Sequence, residues 1–167
     1  MALSEDYLYA EELHPIDIVE TLAEAHEWEF DRVTDDQIAM AVEGQWRTYS
    51  ITLAWSPMDE TLRLICTFEM DPPPAREGAL YELLNRINDR VWTGAFTFWP
   101  DQRLMVWRHG LVLSGGQLPG PEQIDRLIGA AVVSSERFYP AFQLATWGER
   151  DPEDAMQVAI AEAYGRA

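Results

Sequence analysis

The chain has 167 residues and a formal net charge of −17, with 29 carboxylates against 12 basic side chains, and every basic side chain is arginine. A field this negative repels phosphate backbones and anionic lipid, so we predict no nucleic acid and no membrane among its partners. The lack of lysine excludes Schiff-base chemistry and the phosphate-binding lysine of a nucleotide loop.

Most of the excess charge lies at the N-terminus, because residues 1–36 contain a single arginine, Arg32. We predict an acidic N-terminal arm over residues 1–13 and a single α+β domain over residues 14–167. Carboxylates of the arm and of the first predicted helix form a candidate acidic surface for a basic partner. Its members are Glu11, Glu12, Asp17, Glu20, Glu24 and Glu27.

Cysteine usage and hydropathy indicate the compartment. Cys66 is the only cysteine, so no intramolecular disulfide is possible. The first residues lack a basic segment followed by an apolar one, and the longest apolar run, residues 127–133, is too short to cross a bilayer. We therefore expect a cytoplasmic protein.

The histidines form no spaced pair of ligands, and we predict no metal and no cofactor.

The first half of the chain predicts a helix followed by strands. Pro15 suits the first turn of a helix, and apolar residues follow it at helical spacing. The period then changes to two, which predicts strands over residues 28–33, 38–43, 46–55 and 61–70. Pairing Trp55 with Leu62 brings the apolar residues of the last two strands to one face. They are Tyr49, Ile51, Leu53, Trp55, Leu62, Leu64, Cys66, Phe68 and Met70.

The second half predicts a helix, a hairpin and two more helices. The helix starts after three prolines at 72–74 and ends at Gly94. The hairpin joins residues 95–99 to 103–113, with Trp99 opposite Leu104. A long helix opens at Pro121 and is kinked or ended at Pro140, and a last helix opens at Pro152. The predicted order is α-β-β-β-β-α-β-β-α-α, an α+β fold with an antiparallel sheet.

The outer face of the second hairpin is unusually apolar. It carries Trp99, Leu104 and Val106 where threonines would be ordinary. On a sheet covered by helices on one side only, such a face is an exposed apolar patch, which usually marks an interface. We predict a protein-binding or dimer surface there.

Other interpretations remain open. A small-molecule sensor or an enzyme with a pocket between sheet and helices is the alternative, with Trp107, His109 and Tyr139 lining the pocket. Acidic mimicry of nucleic acid is a third possibility. The run Leu113 to Gln117 reads as the signature of ATP-binding-cassette ATPases, yet a chain without lysine cannot supply the Walker loop that this signature needs.

Several segments resemble the YbjN family, described as bacterial sensory transduction regulators. They lie at residues 15–20, 28–32, 42–46, 85–88, 92–96, 107–109 and 136–143. The resemblance covers about residues 14–165 in order. It implies a fold similar to type III secretion chaperones, which are small acidic α+β proteins that dimerise and hold partner polypeptides. It transfers no active-site residues.

Residues and resemblance together predict a non-enzymatic, chaperone-like or regulatory protein. We expect it to bind another polypeptide and to form a homodimer.

Overall fold

A computed structural model describes residues 13–165 of the chain. Its elements, in chain order, are α1 (Pro15–Ala25), β1 (Glu29–Thr34), β2 (Gln37–Glu43), β3 (Thr48–Ser56), β4 (Thr61–Glu69), α2 (Glu77–Asn88), β5 (Ala95–Trp99), β6 (Leu104–Val112), α3 (Pro121–Thr146) and α4 (Pro152–Gly165). Short 3-10 turns lie at Pro74–Arg76 and Ser114–Gly116. The α+β class and the predicted order of elements are confirmed. Of the predicted acidic arm, all but Leu13 lies outside the described residues.

The six strands form one antiparallel sheet in the order β1-β2-β3-β4-β6-β5. Both predicted registers are confirmed, since Trp55 lies opposite Leu62 and Trp99 opposite Leu104. The second hairpin joins the sheet through its later strand: β6 pairs with β4 over its whole length. The shorter β5 therefore forms one edge of the sheet, and β1 forms the other.

Side chains at the helix ends explain where α1 begins and where α2 ends. His14 caps α1, because its Nδ1 accepts a hydrogen bond from the Ile16 N–H at 3.0 Å, while the Asp17 carboxylate accepts from the His14 N–H at 2.9 Å. The second helix is shorter than predicted and ends at Asn88 rather than at Gly94. The Asn88 side chain pairs with the backbone of β5, as described below, so the chain leaves the helix there.

The third helix continues through Pro140 to Thr146, so this proline does not end it. Proline lacks the N–H of one helical hydrogen bond. The turn that follows is nevertheless fixed by packing, because Ala141, Phe142 and Ala145 are all fully buried. Burial of this turn against the sheet and neighbouring helices offsets the missing bond.

The core lies between one face of the sheet and the helices. We call this the inner face. Its strand residues have the predicted alternation, and helix α1 packs against β1, β2 and β3 while α3 packs against β4 and β6. Helix α2 packs beside β5, and α4 packs on α2 and α3. The largest fully buried side chains include Trp107, Tyr49, Phe138 and Phe142. The other face, the outer face, has no helix over it among residues 13–165.

Candidate functional site

The apolar patch predicted on the outer face is present, but it is smaller than predicted. Trp99 and Leu104 lie directly opposite each other at the end of the second hairpin, and both are half-buried. Val106 was predicted to be exposed with them, and this is wrong, since its side chain is 0% exposed. It lies between Thr67 of β4 and Thr97 of β5. A small β-branched side chain with cross-strand neighbours about 5 Å away on both sides is enclosed by them. The accessible patch is therefore Trp99 and Leu104.

The loop between α2 and β5 displays a tryptophan that the sequence reading did not single out. Trp92 is 97% exposed, although tryptophan is highly buried on average. Its position just before Gly94, outside both the helical stripe and the strand alternation, was the available signal. An exposed aromatic residue of this size is typical of a binding surface.

Three contacts hold this loop in place. The Asn88 side chain pairs with both backbone groups of Phe96: its Nδ2 donates to the carbonyl oxygen at 2.9 Å, and its Oδ1 accepts from the N–H at 2.8 Å. The Gly94 N–H donates to Nδ1 of His109 at 3.0 Å. The His109 ring in turn stacks on Trp107 with centroids 6.2 Å apart. The loop that presents Trp92 is thus fixed at both ends by side chains of neighbouring elements.

A groove of about 640 Å³ lies on the outer face beside this loop. Trp92 borders it on one side, and Arg63 and Arg108 project into it from neighbouring strands. Both arginines are exposed. Arg63 forms an ion pair with Asp59 at 2.8 Å, whereas Arg108 has no acidic partner among the described side chains of residues 13–160. We call this the cationic groove, because the described residues that line it include these two arginines and no carboxylate.

A second groove, of about 440 Å³, lies on the inner side of the same sheet edge. It runs between β6 and α3, and its apolar lining is Leu111, Leu127, Ala130 and Val133. Val133 is 66% exposed although it belongs to the longest helix. We call this the apolar groove. His109 borders both grooves, so they lie on opposite faces of one stretch of β6.

The alternative pocket predicted at Trp107, His109 and Tyr139 is divided by the structure. Trp107 and His109 lie together, but Trp107 is fully buried and is part of the core. Tyr139 packs elsewhere, with its ring 5.6 Å from Phe68 and 5.8 Å from the Arg47 guanidinium. Aromatic core side chains occupy the space between sheet and helices at Trp107, so of these three residues only His109 borders a described groove.

The predicted acidic surface divides into paired and unpaired carboxylates. Arg32 of β1 donates from Nη1 to Asp17 and to Glu20, both at 2.8 Å. The hydrogen bond from Arg32 lowers the pKa of Asp17 below its ordinary value, and this outweighs the opposing effect of partial burial. Glu24 and Glu27 are exposed. Glu11 and Glu12 lie outside the described residues.

The turn between β2 and β3 is held by a carboxylate of α3. The Tyr49 hydroxyl donates to Oε1 of Glu136 at 2.7 Å, and the Trp46 N–H donates to the same oxygen at 3.3 Å. A Cβ on Gly44 would clash with this oxygen and with the Tyr49 ring, so the glycine leaves room for both side chains. Burial, followed by the bond to Glu136, strongly raises the pKa of the Tyr49 phenol. These residues fix helix α3 against the sheet.

The thiol and two of the histidines are held by burial or by hydrogen bonds. Burial raises the pKa of the Cys66 thiol to about 12, which leaves it protonated and unreactive at neutral pH. His14 and His26 each contact an aspartate, with Nε2 to oxygen distances of 2.7 and 2.8 Å. Residues 13–160 contain no group of three histidine, cysteine or carboxylate side chains placed to hold a metal ion. None of the described helices is long and apolar enough to span a membrane.

Comparison with known proteins identifies the family. The fold is similar to that in "Crystal structure of YbjN, a putative transcription regulator from E. coli", with 14% identity and a TM-score of 0.50 over 90% of this chain and 92% of that chain. It is also similar to a chain in "Structure of the HopA1-SchA Chaperone-Effector Complex", with 13% identity and a TM-score of 0.47 over 70% of this chain and 86% of that chain. No curated protein matches the sequence significantly. The family model YbjN, "Putative bacterial sensory transduction regulator", matches residues 15–144, and the chain therefore belongs to the YbjN family.

Proposed function

We propose that this protein is a non-enzymatic, chaperone-like or regulatory protein of the cytoplasm that binds another polypeptide and acts as a homodimer. One observation carries the proposal. The helices cover the inner face of the sheet, while the outer face presents Trp99, Leu104 and the cationic groove with Trp92 at its border. Exposed aromatic residues beside an arginine are typical of the centre of protein interfaces.

The family supports a regulatory role, because its model is described as a sensory transduction regulator. The chemistry of the described residues supports binding rather than catalysis. The Cys66 thiol is buried and protonated, and all three histidines are held in hydrogen bonds within the fold. A catalytic cysteine would need a reactive thiolate beside an accessible cavity, and the buried Cys66 thiol lacks both.

The dimer contact that we propose is the patch of Trp99 and Leu104. A two-fold interface uses the same patch on both copies, and two apolar side chains directly opposite each other can pack against their copies across a two-fold axis. The acidic surface is a poor candidate, since two copies of it would repel each other.

Light scattering on the wild type, on Leu104→Asp and on Met58→Asp tests the dimer. Met58 is 98% exposed in the turn at the other end of β4, and its replacement is a matched control. We expect wild type and Met58→Asp to have twice the mass of Leu104→Asp. Equal masses for all three would show that the patch is not a dimer contact.

Quantitative affinity capture tests partner binding. We compare the wild type with Trp92→Ala and with Trp147→Ala, which removes a 51% exposed tryptophan at the end of α3. A partner captured by wild type and by Trp147→Ala, and depleted with Trp92→Ala, supports the proposal. Capture that does not change with Trp92→Ala contradicts the assignment of this surface.

A further inference from the structure

Strand β6 is longer than the strand that pairs with it at the sheet edge. It pairs with β4 from Leu104 to Val112, but with β5 only from Leu104 to Arg108. Beyond Arg108, no described strand lies on the β5 side. The last part of β6, from Gly110 to Val112, is therefore an open sheet edge in line with β5.

The hydrogen bonds of β5 show which groups face this open edge. Both backbone groups of Phe96 bond to the Asn88 side chain, so they point away from β6. The neighbouring residues Ala95 and Thr97 therefore form backbone hydrogen bonds with Arg108 and Val106. Because these groups alternate along a strand, the N–H and C=O groups of Gly110 and Val112 also face the β5 side. The Leu113 N–H agrees with this alternation, because it donates at 2.8 Å to Glu60 on the opposite, β4 side.

The other edges of the sheet carry features that disfavour strand addition. The exposed edge strand β1 carries Glu29 and Asp31, and its register shifts between Arg32 and Thr34. Charges and irregular register on an edge both disfavour pairing with another chain. Strand β5 is covered at Phe96 by Asn88. In the part of the chain that the structure describes, the open edge of β6 has neither protection, since Gly110 has no side chain and Val112 is 66% exposed.

Each face of the open edge borders one of the two grooves. Side chains alternate across a strand, so a strand added beside β6 would direct successive side chains to opposite faces. On the inner side they would meet the apolar groove with Leu111, Leu127 and Val133. On the outer side they would meet Arg108, and Arg63, which lies opposite Gly110 in the register. The glycine leaves the path from the edge to Arg63 free of a side chain.

We propose that an extended segment of the partner polypeptide adds to the open edge of β6 as a short strand, with apolar side chains in the apolar groove and alternating carboxylates facing Arg63 and Arg108. The inference rests on the proposed function, since it names the chemistry of the polypeptide that the protein binds. The side chains of the added strand that face the two arginines should be carboxylates, because their charges are complementary. Backbone hydrogen bonds supply affinity, and the two grooves supply specificity.

A fluorescein-labelled peptide in which leucine and glutamate alternate is the probe, and fluorescence anisotropy gives its Kd. The key variant is Val112→Pro, which removes a backbone donor facing the open edge, and Val112→Thr is the matched control that keeps it. We expect Val112→Pro to weaken binding about five- to tenfold, as loss of one hydrogen bond would, and Val112→Thr to bind like wild type. Equal binding by all three proteins would overturn the proposal.

Changes in the peptide test the same contacts without altering the fold. Methylation of alternate backbone nitrogens removes the donors on one edge of the peptide, and methylation of the other set is the control. We expect one set to abolish binding and the other to have little effect. If neither set matters, strand addition is wrong even where Val112→Pro fails to fold.

The outer positions are tested with Arg63→Gln combined with Arg108→Gln. We expect a loss of about tenfold and a weaker dependence on salt, because two cations are removed from the groove. Arg90→Gln combined with Arg137→Gln is the control with the same change in net charge. A peptide with lysine in place of glutamate should bind poorly, and tighter binding of that peptide would overturn the charge assignment.

Two results would assign the edge to a different occupant and overturn the proposal. Loss of the dimer in Val112→Pro, with no peptide binding by wild type, would assign it to a second copy. Peptide binding only after deletion of residues 1–12 would assign it to the chain itself. The proposed function fails separately, if neither the Trp99–Leu104 patch nor Trp92 affects dimer formation or partner capture.

Discussion

Gly94 and Trp107 are in direct contact, and the contact leaves no room for a side chain at residue 94. A Cβ there would lie 2.2 Å from the indole ring, and Gly94 has a φ of 74°, in the left-handed region. The two constraints are independent, because one is steric and the other is a backbone preference. Together they fix the loop that carries Trp92, two residues earlier.

Replacing Gly94 by alanine should therefore destabilise the protein by about 2–4 kcal/mol, from overpacking and left-handed strain together. Thermal unfolding measures the change. Gly78→Ala is the control, since a Cβ at that helical position meets nothing within 4 Å. If Gly94→Ala were as stable as Gly78→Ala, the tight contact with Trp107 would be disproved.

Asn88→Ala should lower the free energy of unfolding by about 1–3 kcal/mol, because two hydrogen bonds to Phe96 are lost. Denaturant titration measures the loss, and Asn85→Ala, at an exposed position of the same helix, is the control. The variant should also leave the Phe96 N–H without its side-chain acceptor. The amide hydrogen of Phe96 should therefore exchange with solvent faster than in the wild type. Unchanged exchange would contradict the role of Asn88 as an edge cap.

Tyr49→Phe should cost about 1–2 kcal/mol, because the buried hydroxyl no longer donates to Glu136. Tyr81→Phe is the control, since that side chain is 46% exposed. An ultraviolet titration gives a second readout. The pKa of the Tyr49 phenol is strongly raised, so one tyrosine fewer should ionise in folded wild-type protein than after unfolding. Full ionisation of every tyrosine without unfolding would contradict this.

Asp17 should make stability depend on pH in the acid range. Its pKa is lowered in the folded state, so it contributes stability above its ordinary pKa of about 3.9 and loses that contribution as the pH falls through the lowered value. The difference in unfolding free energy between wild type and Asp17→Asn should be largest near neutral pH. It should begin to fall near the ordinary pKa of the carboxyl and disappear only below the lowered pKa of the folded state.

The control for this pH dependence is Glu24→Gln on the same helix. Glu24 is exposed and has no arginine partner within the described residues. Its variant removes one carboxylate from the same helix without removing an ion pair to Arg32, whose partners are Asp17 and Glu20. A pH-independent difference for Asp17→Asn would show that Arg32 does not favour the ionised carboxylate.

Local patterns in the sequence determined the elements and the pairing within each hairpin. Alternation predicted the register of Trp55 with Leu62 and of Trp99 with Leu104, because a slip of one residue would turn a whole apolar set outward. The same patterns predicted the core residues of helices and strands and the α+β class. Such signals depend only on neighbours along the chain.

The tertiary structure alone decided the order of strands and the binding surfaces. Whether β5 or β6 lies next to β4 depends on packing between distant segments, and that order creates the open edge from Gly110 to Val112. The same order enclosed Val106 between two strands, and so removed it from the predicted patch. It also brought Arg63 and Trp92 to one groove, although 28 positions separate them in the sequence. The spacing of apolar residues along the chain does not predict such contacts, because they depend on how the hairpins pack against each other.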